Sequence, residues 1–509
     1  MNNKSYNPVT KIFSVMTGSK LTELLKSLSR GEYRELQKFS ASSYFNKGRK
    51  YPELLKSLKA YFPDFNNSKL TKKFIYKRVF PGKKFNDQVM RNLINGTTRL
   101  CEEFFVYKRF ANDNKEYYNV LADEALKRKL INISENSLKK SETINADDGF
   151  DTGFFKKQYE MEQIKREVYN LKYGQRASIG VLSRASGDFI YFFFMEISRQ
   201  LEEMIVLNHN WNAGFESGIT YEFLKNLGLD NILKYLKNNS YENSGIIELY
   251  ISHIKQMINF RDEEQFAELK SLFKKYSHML SRWGKYNMYL ALANACIRLQ
   301  EVNEKKYTAE LLELYKEQLG NSLHTAYEGT FMEQDLFRNI FVNALKLKQF
   351  DWAENYLQKY LHGLQPEFIE NMKNFSYSNL SFEKGDFESA LKYLSLVKYD
   401  TFVFKFDVRT LMLKIYLELG YYEQTRSLID SFRHFIMENT SITEYIKLVH
   451  LDFIKFVNEI MRLKESKKEF DPVKLINEIT LSPARNKEWL IEKIYELPGL
   501  KIKTGGIVR

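Results

Sequence analysis

A short phrase recurs near the C-terminal end of the chain and restricts the possible folds more than any other feature. It occurs at 348–353, 385–390 and 420–425, at steps of 37 and 35 residues. Each copy follows an apolar helical stretch and contains a polar turn, an aromatic residue and then a small residue. A fixed period of this size is typical of a helix-turn-helix unit stacked on copies of itself. The sequence therefore predicts an all-α protein built as an α-solenoid.

The positions within the phrase predict how each hairpin packs. Apolar helices are expected before the turns, at 337–347, 375–382 and 411–419. The aromatic ring after each turn is expected to cover it, and the small residue allows two helix backbones to approach closely. The predicted repeat-packing residues are Phe350, Ala353, Gly385, Phe387, Ala390, Gly420, Tyr422 and Thr425.

The phrase resembles the tetratricopeptide repeat, most closely in its second copy. The resemblance covers roughly 336–435, and looser echoes at 266–267 and 307–309 indicate degenerate repeats upstream. Lys348 stands where the family has a turn glycine, and only Ser378 fits a first-helix position that is usually small. In that family the concave surface of the first helices binds peptides or partner proteins. The resemblance thus implies a scaffold or adaptor with an unidentified protein partner.

Proline placement extends the helical prediction to most of the chain. None of the eight prolines lies between Gly82 and Gln365, so nothing there forces a helix to end. The polar stretch 132–149 is the expected domain boundary, and a closing helix is expected at 484–496. The predicted organisation is a flexible N-terminus (1–20), a basic helical domain (21–140), a tetratricopeptide-like repeat array (150–480) and a C-terminal capping helix with a basic tail (481–509).

The positive charge lies at one end of the chain. Residues 1–140 hold 29 Lys and Arg against 13 Asp and Glu, a net charge of +16, whereas residues 141–509 have a net charge of −3. Such asymmetry is typical of a surface that binds phosphates or an acidic partner. Two explanations remain open: an anionic partner, or a lysine-rich genome composition. A lysine-rich genome composition would not by itself make acidic residues scarce at one end of the chain only.

A candidate anion-binding site lies between Ser68 and Lys84. Ser68 is expected to cap a helix that ends at the Pro81–Gly82 turn, with basic side chains on one side and apolar ones on the other. Seven residues separate Val79 from Asp87, more than the turn of a DNA-reading helix-turn-helix motif contains. The expected partner is a nucleic acid bound through its phosphates, or an acidic protein. The candidate residues are Lys69, Lys72, Lys73, Tyr76, Lys83 and Lys84.

The same end of the chain carries a second resemblance. The segments 43–46, 61–65, 79–82 and 101–105 are similar to the N-terminal part of a group of long helical bacterial proteins. The similarity extends from about Leu21 to Arg176. It implies a bacterial cytoplasmic protein and supplies no functional residues.

Sequence signals of enzyme chemistry are weak. Cys101 and Cys296 lie far apart in apolar segments, which fits a reducing cytoplasm. The seven histidines lack metal-ligand spacing and are expected at the surface or in turns, and the pair Glu202 and Glu203 is expected on a solvated helix face. We find no nucleophile–base pair and no phosphate-binding loop. The sequence predicts a non-enzymatic protein without cofactor or metal.

A membrane-spanning segment is also not expected. The longest apolar run, 189–195, is seven residues long, whereas crossing a bilayer takes about 20. The two functional hypotheses are therefore a cytoplasmic protein-binding scaffold on the repeat array and, as the alternative, phosphate-backbone binding of RNA or DNA by the basic N-terminal domain.

Overall fold

The computed structural model describes residues 19–67, 70–144, 149–211, 218–239, 241–398, 402–466 and 470–497. This part of the chain is all-α, as predicted: it holds 25 α-helices and short 3₁₀ segments, and no β-strand. The predicted flexible N-terminus and basic tail lie almost wholly outside the described residues. The helices are α1 (Lys20–Lys26), α2 (Arg30–Ala41), α3 (Ser43–Asn46), α4 (Tyr51–Leu58), α5 (Lys72–Val79), α6 (Asp87–Asn112), α7 (Asn114–Lys127), α8 (Ile131–Glu142), α9 (Thr152–Tyr173), α10 (Ile179–Asn210), α11 (Ile219–Asn226), α12 (Leu229–Asn238), α13 (Ser244–Ile258), α14 (Glu263–Tyr276), α15 (Arg282–Leu299), α16 (Glu304–Gly320), α17 (Gln334–Lys346), α18 (Phe350–Tyr360), α19 (Pro366–Glu383), α20 (Phe387–Ser395), α21 (Phe402–Glu418), α22 (Tyr422–Glu438), α23 (Glu444–Ser466), α24 (Pro472–Leu481) and α25 (Lys487–Tyr495).

The chain divides into two compact units. The N-terminal unit comprises 1–145 and 160–182, and the C-terminal unit comprises 146–159 and 183–509. The first division falls inside the stretch 132–149 that the sequence marks as a boundary. However, α8 occupies much of that stretch, and the return of 160–182 to the N-terminal unit has no sequence signal.

The core of the N-terminal unit forms where α1, α2, α4 and α5 pack against the long helix α6. A capping box of the Ser-x-x-Glu form is present at the start of α2: the Glu32 amide donates to Ser29 Oγ at 3.2 Å, and the Ser29 amide donates to Glu32 Oε2 at 2.8 Å. Helix α5 starts later than expected. Its cap is Thr71, whose hydroxyl oxygen accepts from the Phe74 amide at 3.3 Å, and Ser68 lies outside the described residues.

The C-terminal unit is a series of helical hairpins, in which α13 pairs with α14, α15 with α16, α17 with α18, α19 with α20, and α21 with α22. The first helices also pack on one another, α17 on α19 and α19 on α21. The predicted apolar helices at 337–347, 375–382 and 411–419 correspond to α17, α19 and α21. The closing helix is α25, which is shorter than the predicted 484–496.

The recurring phrase corresponds to one type of helix end used three times. Lys348, Gly385 and Gly420 all have left-handed backbone conformations, with φ of 55°, 80° and 71°. In each turn the next amide donates to the carbonyl five residues back, for example Asp386 N to Ser381 O at 2.9 Å. This is the Schellman arrangement, which satisfies the last carbonyls of a helix. Lys348 therefore shows that the turn requires the left-handed conformation rather than glycine itself.

The small residues of the phrase lie where the paired helices meet. Ala353, Ala390 and Thr425 are fully buried, and the Ala390 carbonyl accepts a hydrogen bond from Ser378 Oγ at 2.8 Å. The aromatic residues that begin α18, α20 and α22 are partly buried against the same core. A larger side chain at the buried positions would push the two helices apart.

Candidate functional site

The structure separates the six candidate anion-binding residues. Lys69 lies outside the described residues. Lys72 begins α5, and its Nζ lies 3.8 Å from Asp87 Oδ1. Lys73 is exposed, as are Lys83 and Lys84 in the loop between α5 and α6.

Tyr76 is a correction to the sequence prediction, which placed it beside the lysines. Its side chain is only 3% exposed, and its ring lies 4.7 Å from that of Phe80 and 5.3 Å from that of Phe85. The reason is that α5 packs against both α4 and α6, so its buried stripe is wide enough to include Ile75, Tyr76 and Val79. Tyr76 belongs to the core and is not available to a ligand.

A second basic loop, between α3 and α4, lies beside the first one. Lys50 Nζ donates to the Val79 carbonyl at 3.4 Å and lies 5.3 Å from the Phe80 ring centroid, so the loop before α4 reaches the end of α5. Both loops turn at a glycine with positive φ, Gly48 and Gly82. We call the exposed cations of the two loops the basic loop pair: Lys47, Arg49, Lys50, Lys83 and Lys84.

Two carboxylates of α6 are paired with other cations. Asp87 accepts from Arg91 Nη2 at 3.0 Å as well as lying near Lys72, and Glu102 lies 2.6 Å from Lys20 Nζ. Within the described ranges, no carboxylate lies at ion-pairing distance from any member of the basic loop pair. Among the described residues, these five exposed cations on two adjoining loops therefore have no ion-paired counter-charge, an arrangement that suits a polyanion.

A buried polar network in the C-terminal unit is a second correction, because Glu202 was expected on a solvated face and the histidines at the surface. Ser198 Oγ lies 2.7 Å from His253 Nδ1, and His253 Nε2 lies 3.1 Å from Glu202 Oε2. All three side chains are buried. The network thus contains the nucleophile–base contact that the sequence did not reveal.

The other partners of Glu202 indicate that this network is structural. Its Oε1 accepts from Arg298 Nη1 at 2.8 Å and from Asn294 Nδ2 at 3.1 Å. Burial opposes ionisation, but Arg298 and His253 outweigh it and lower the pKa of Glu202 to about 2. Ser198 has no exposed surface through which a substrate could reach it. The carboxylate instead joins α10 to α13 and α15.

Sequence separation explains why this network is not predictable. Its members come from three helices, and contacts join residues from 51 to 96 positions apart. The only local signal is the spacing of Ser198 and Glu202, four residues apart on α10, which places them on one helix face. Nothing in the sequence places His253 opposite that face.

Other kinds of site are not found in the described part of the chain. No group of three His, Cys, Asp or Glu side chains there is arranged to hold a metal ion. No described helix is both long and apolar enough to cross a membrane. Comparisons with protein-family models, curated proteins and solved structures find no match to this chain. Its function is therefore inferred from its own residues.

Proposed function

We propose that this protein is a non-enzymatic scaffold or adaptor whose helical hairpins form a tetratricopeptide-like α-solenoid. The observation that carries the proposal is the repetition of one Schellman turn in three successive hairpins, with first helices packed on first helices. Repeats of this kind bury their apolar faces against neighbours and leave extended surfaces for partners. The two buried free cysteines fit a reducing compartment such as the bacterial cytoplasm.

The partner surface differs from the one used in the tetratricopeptide family. The first helices α13 and α15 are joined to α10 through Glu202, and Thr443 Oγ1, just before α23, donates to the His209 carbonyl at 3.2 Å. These contacts support a partner surface on another part of the hairpins. An open groove of about 900 Å³, lined by Arg426 of α22 and by α23 residues that include Asn458 and Arg462, is the candidate that we test.

Affinity purification tests the scaffold proposal. The full chain and an Asn458→Ala/Arg462→Ala variant are used as baits in a nuclease-treated bacterial lysate, with the exposed Lys392→Ala as the matched control. We expect the full chain and the control to enrich one defined protein that the groove variant loses. An empty purification contradicts the scaffold, and a partner that the groove variant retains contradicts the assignment of the groove.

A second candidate function is binding of nucleic acid through phosphates, and the basic loop pair is the observation that favours it. Counterion release would make such binding fall steeply with salt and depend little on sequence. Titration of the full chain with labelled oligonucleotides at about 50 and about 200 mM salt measures this dependence. We expect the Lys47→Gln/Arg49→Gln/Lys83→Gln/Lys84→Gln variant to lose affinity for all sequences alike. No binding at the lower salt concentration contradicts this function.

A further inference from the structure

Two exposed tyrosines of the N-terminal unit share one aromatic group, and one of them, Tyr44, lies three residues before Lys47 of the basic loop pair. Tyr44 on α3 is 80% exposed, and Tyr107 on α6 is 56% exposed. The Phe45 ring lies between them, with its centroid 5.1 Å from that of Tyr44 and 6.4 Å from that of Tyr107. Phe39 stacks on Phe45 at 4.0 Å and anchors this aromatic group to the core. Tyr44 and Tyr107, the exposed tyrosine pair, therefore stand on a fixed base with their outer surfaces in water.

The cations begin one helical turn from Tyr44. The Lys47 amide donates to the Ser43 carbonyl at 3.2 Å, so Lys47 follows Tyr44 by three residues in the same turn. Lys47 caps α3 with a left-handed backbone (φ 49°), so it lies at the end of the turn that carries Tyr44. The Arg49 amide then donates to the Asn46 carbonyl at 2.8 Å, which holds the loop in a tight turn beside α3.

The second loop continues the positive surface away from the tyrosines. Lys50 contacts the end of α5, and Lys83 and Lys84 follow that end directly. Helix α6 begins at Asp87 and carries Tyr107 twenty residues later, about 30 Å along its axis at 1.5 Å per residue. Lys83 and Lys84, just before α6, and Tyr107, near its end, are thus separated by a distance that several nucleotides can span.

We infer that the basic loop pair and the exposed tyrosine pair bind single-stranded nucleic acid, with bases stacked on Tyr44 and Tyr107 and phosphates at the cations. This inference rests on the proposed nucleic-acid function and deepens it. Unpaired bases offer flat faces to aromatic rings, whereas a duplex hides those faces inside its stack. Proteins that bind single strands combine aromatic rings with a basic surface that follows the backbone.

Charge complementarity selects this ligand over an acidic protein. The segment from Lys47 to Arg99 contains 14 Lys and Arg but only three acidic residues. A single strand supplies regularly spaced phosphates and flat bases together, which matches a group of exposed rings followed by exposed cations. An acidic polypeptide supplies the charge without the flat partners for Tyr44 and Tyr107.

The test compares single-stranded and duplex oligonucleotides of about 12 nucleotides, within the usual site sizes of such surfaces, in fluorescence anisotropy with the full chain. The variants are Tyr44→Ala/Tyr107→Ala and the ring-preserving Tyr44→Phe/Tyr107→Phe. The matched control is Tyr117→Ala, an exposed tyrosine elsewhere in the N-terminal unit. Thermal melting verifies that each variant is folded.

We expect the alanine variant to lose about tenfold or more in single-strand affinity, the scale of stacking one base, while duplex affinity stays within about twofold. The phenylalanine variant and the control should bind like the parent protein. If alanine changes nothing while the four-glutamine loop variant loses binding, the stacking inference is wrong and the phosphate-binding function stands. If both variants bind oligonucleotides as the parent protein does, or the parent protein binds none, both the inference and the nucleic-acid function are wrong.

Discussion

The hairpins of the C-terminal unit and the basic loops of the N-terminal unit place their charges differently. In the hairpins, ion pairs connect residues separated by about one hairpin of sequence. Four such pairs, separated by 40, 43, 30 and 39 residues, are Lys270 with Glu310, Lys306 with Glu263, Lys384 with Glu354, and Arg426 with Glu465. In the part of the chain that the structure describes, the cations of the basic loop pair have no such partners.

This difference indicates which charges serve the fold and which are available to a ligand. An ion pair between neighbouring hairpins is part of their stacking, although an exposed pair adds little stability. A cation without an internal partner does not stabilise such stacking. Its charge faces the solvent, where it can attract an anionic ligand. The following predictions test that distinction from the largest expected effect to the smallest.

The largest effect is expected at the buried network. Glu202→Ala leaves Arg298 buried without its counter-charge, and breaking a buried ion pair in this way costs about 3 to 5 kcal/mol. Thermal melting and hydrogen exchange of α10, α13 and α15 measure the loss. The neighbouring Glu203→Ala, whose side chain is 58% exposed, is the control and should change little.

The same carboxylate predicts a pH dependence. Because its pKa is lowered to about 2 from an ordinary 4.5, Glu202 contributes stability that is fully present above about pH 4.5. This stability is lost as the pH falls from 4.5 toward 2. Melting curves of Glu202→Gln should lack this contribution to acid sensitivity. If the melting temperature of Glu202→Gln falls with decreasing pH as steeply as that of the parent protein, the structural role of the carboxylate is contradicted.

Tyr76→Ala tests the core of the basic unit. Truncation of a buried aromatic side chain costs about 3 to 5 kcal/mol, so the N-terminal unit should melt at a clearly lower temperature. Tyr117→Ala, at a tyrosine that is 49% exposed, serves as the control. If Tyr76→Ala leaves melting unchanged, the residue is at the surface and the original anion-site assignment regains support.

Ala390→Trp tests the locality of the hairpin array. A tryptophan cannot fit between α19 and α20 without moving them, and overpacking of this kind costs about 1 to 3 kcal/mol or more. Since hairpins contact mainly their neighbours, increased hydrogen exchange should be confined to the C-terminal hairpins, with Lys392→Trp on the exposed face as the control. If limited proteolysis of the Ala390→Trp variant releases the N-terminal unit along with the C-terminal hairpins, the repeat architecture is contradicted.

Lys348→Gly should have a small stabilising effect. The backbone at Lys348 is left-handed, a conformation that glycine adopts without steric cost. We expect a gain of up to about 1 kcal/mol in the free energy of unfolding, because the added freedom of glycine in the unfolded chain offsets part of the benefit. Gly385→Lys should show the opposite sign in the same denaturation measurement.

The smallest effect on stability is expected for the basic loop pair. Replacing Lys47, Arg49, Lys83 and Lys84 with glutamine removes exposed cations that have no ion-pair partner among the described residues, and each surface change of this kind stays within about 0.5 kcal/mol. Thermal melting should be nearly unchanged even where nucleic-acid binding is lost. If the variant unfolds, these cations stabilise the N-terminal unit. The charges of the loops would then serve the fold, as the ion pairs of the hairpins do.

The sequence alone determined the features that depend on neighbouring residues. Helical periodicity, the capping box at Ser29 and the turns at Lys348, Gly385 and Gly420 all form through hydrogen bonds within five residues of the chain. Such local preferences are visible in a single sequence, so the all-α prediction is confirmed. The excess of cations at one end was likewise readable as composition.

Only the tertiary structure decided which side chains meet across the chain. Lys50 reaches Val79 over 29 residues, and Glu202 reaches Arg298 over 96. Tyr76 is buried because a second helix packs over a face that α5 alone would expose. These contacts follow from the packing of whole helices, and packing depends on all elements at once. The spacing of residues within one helix does not contain that information.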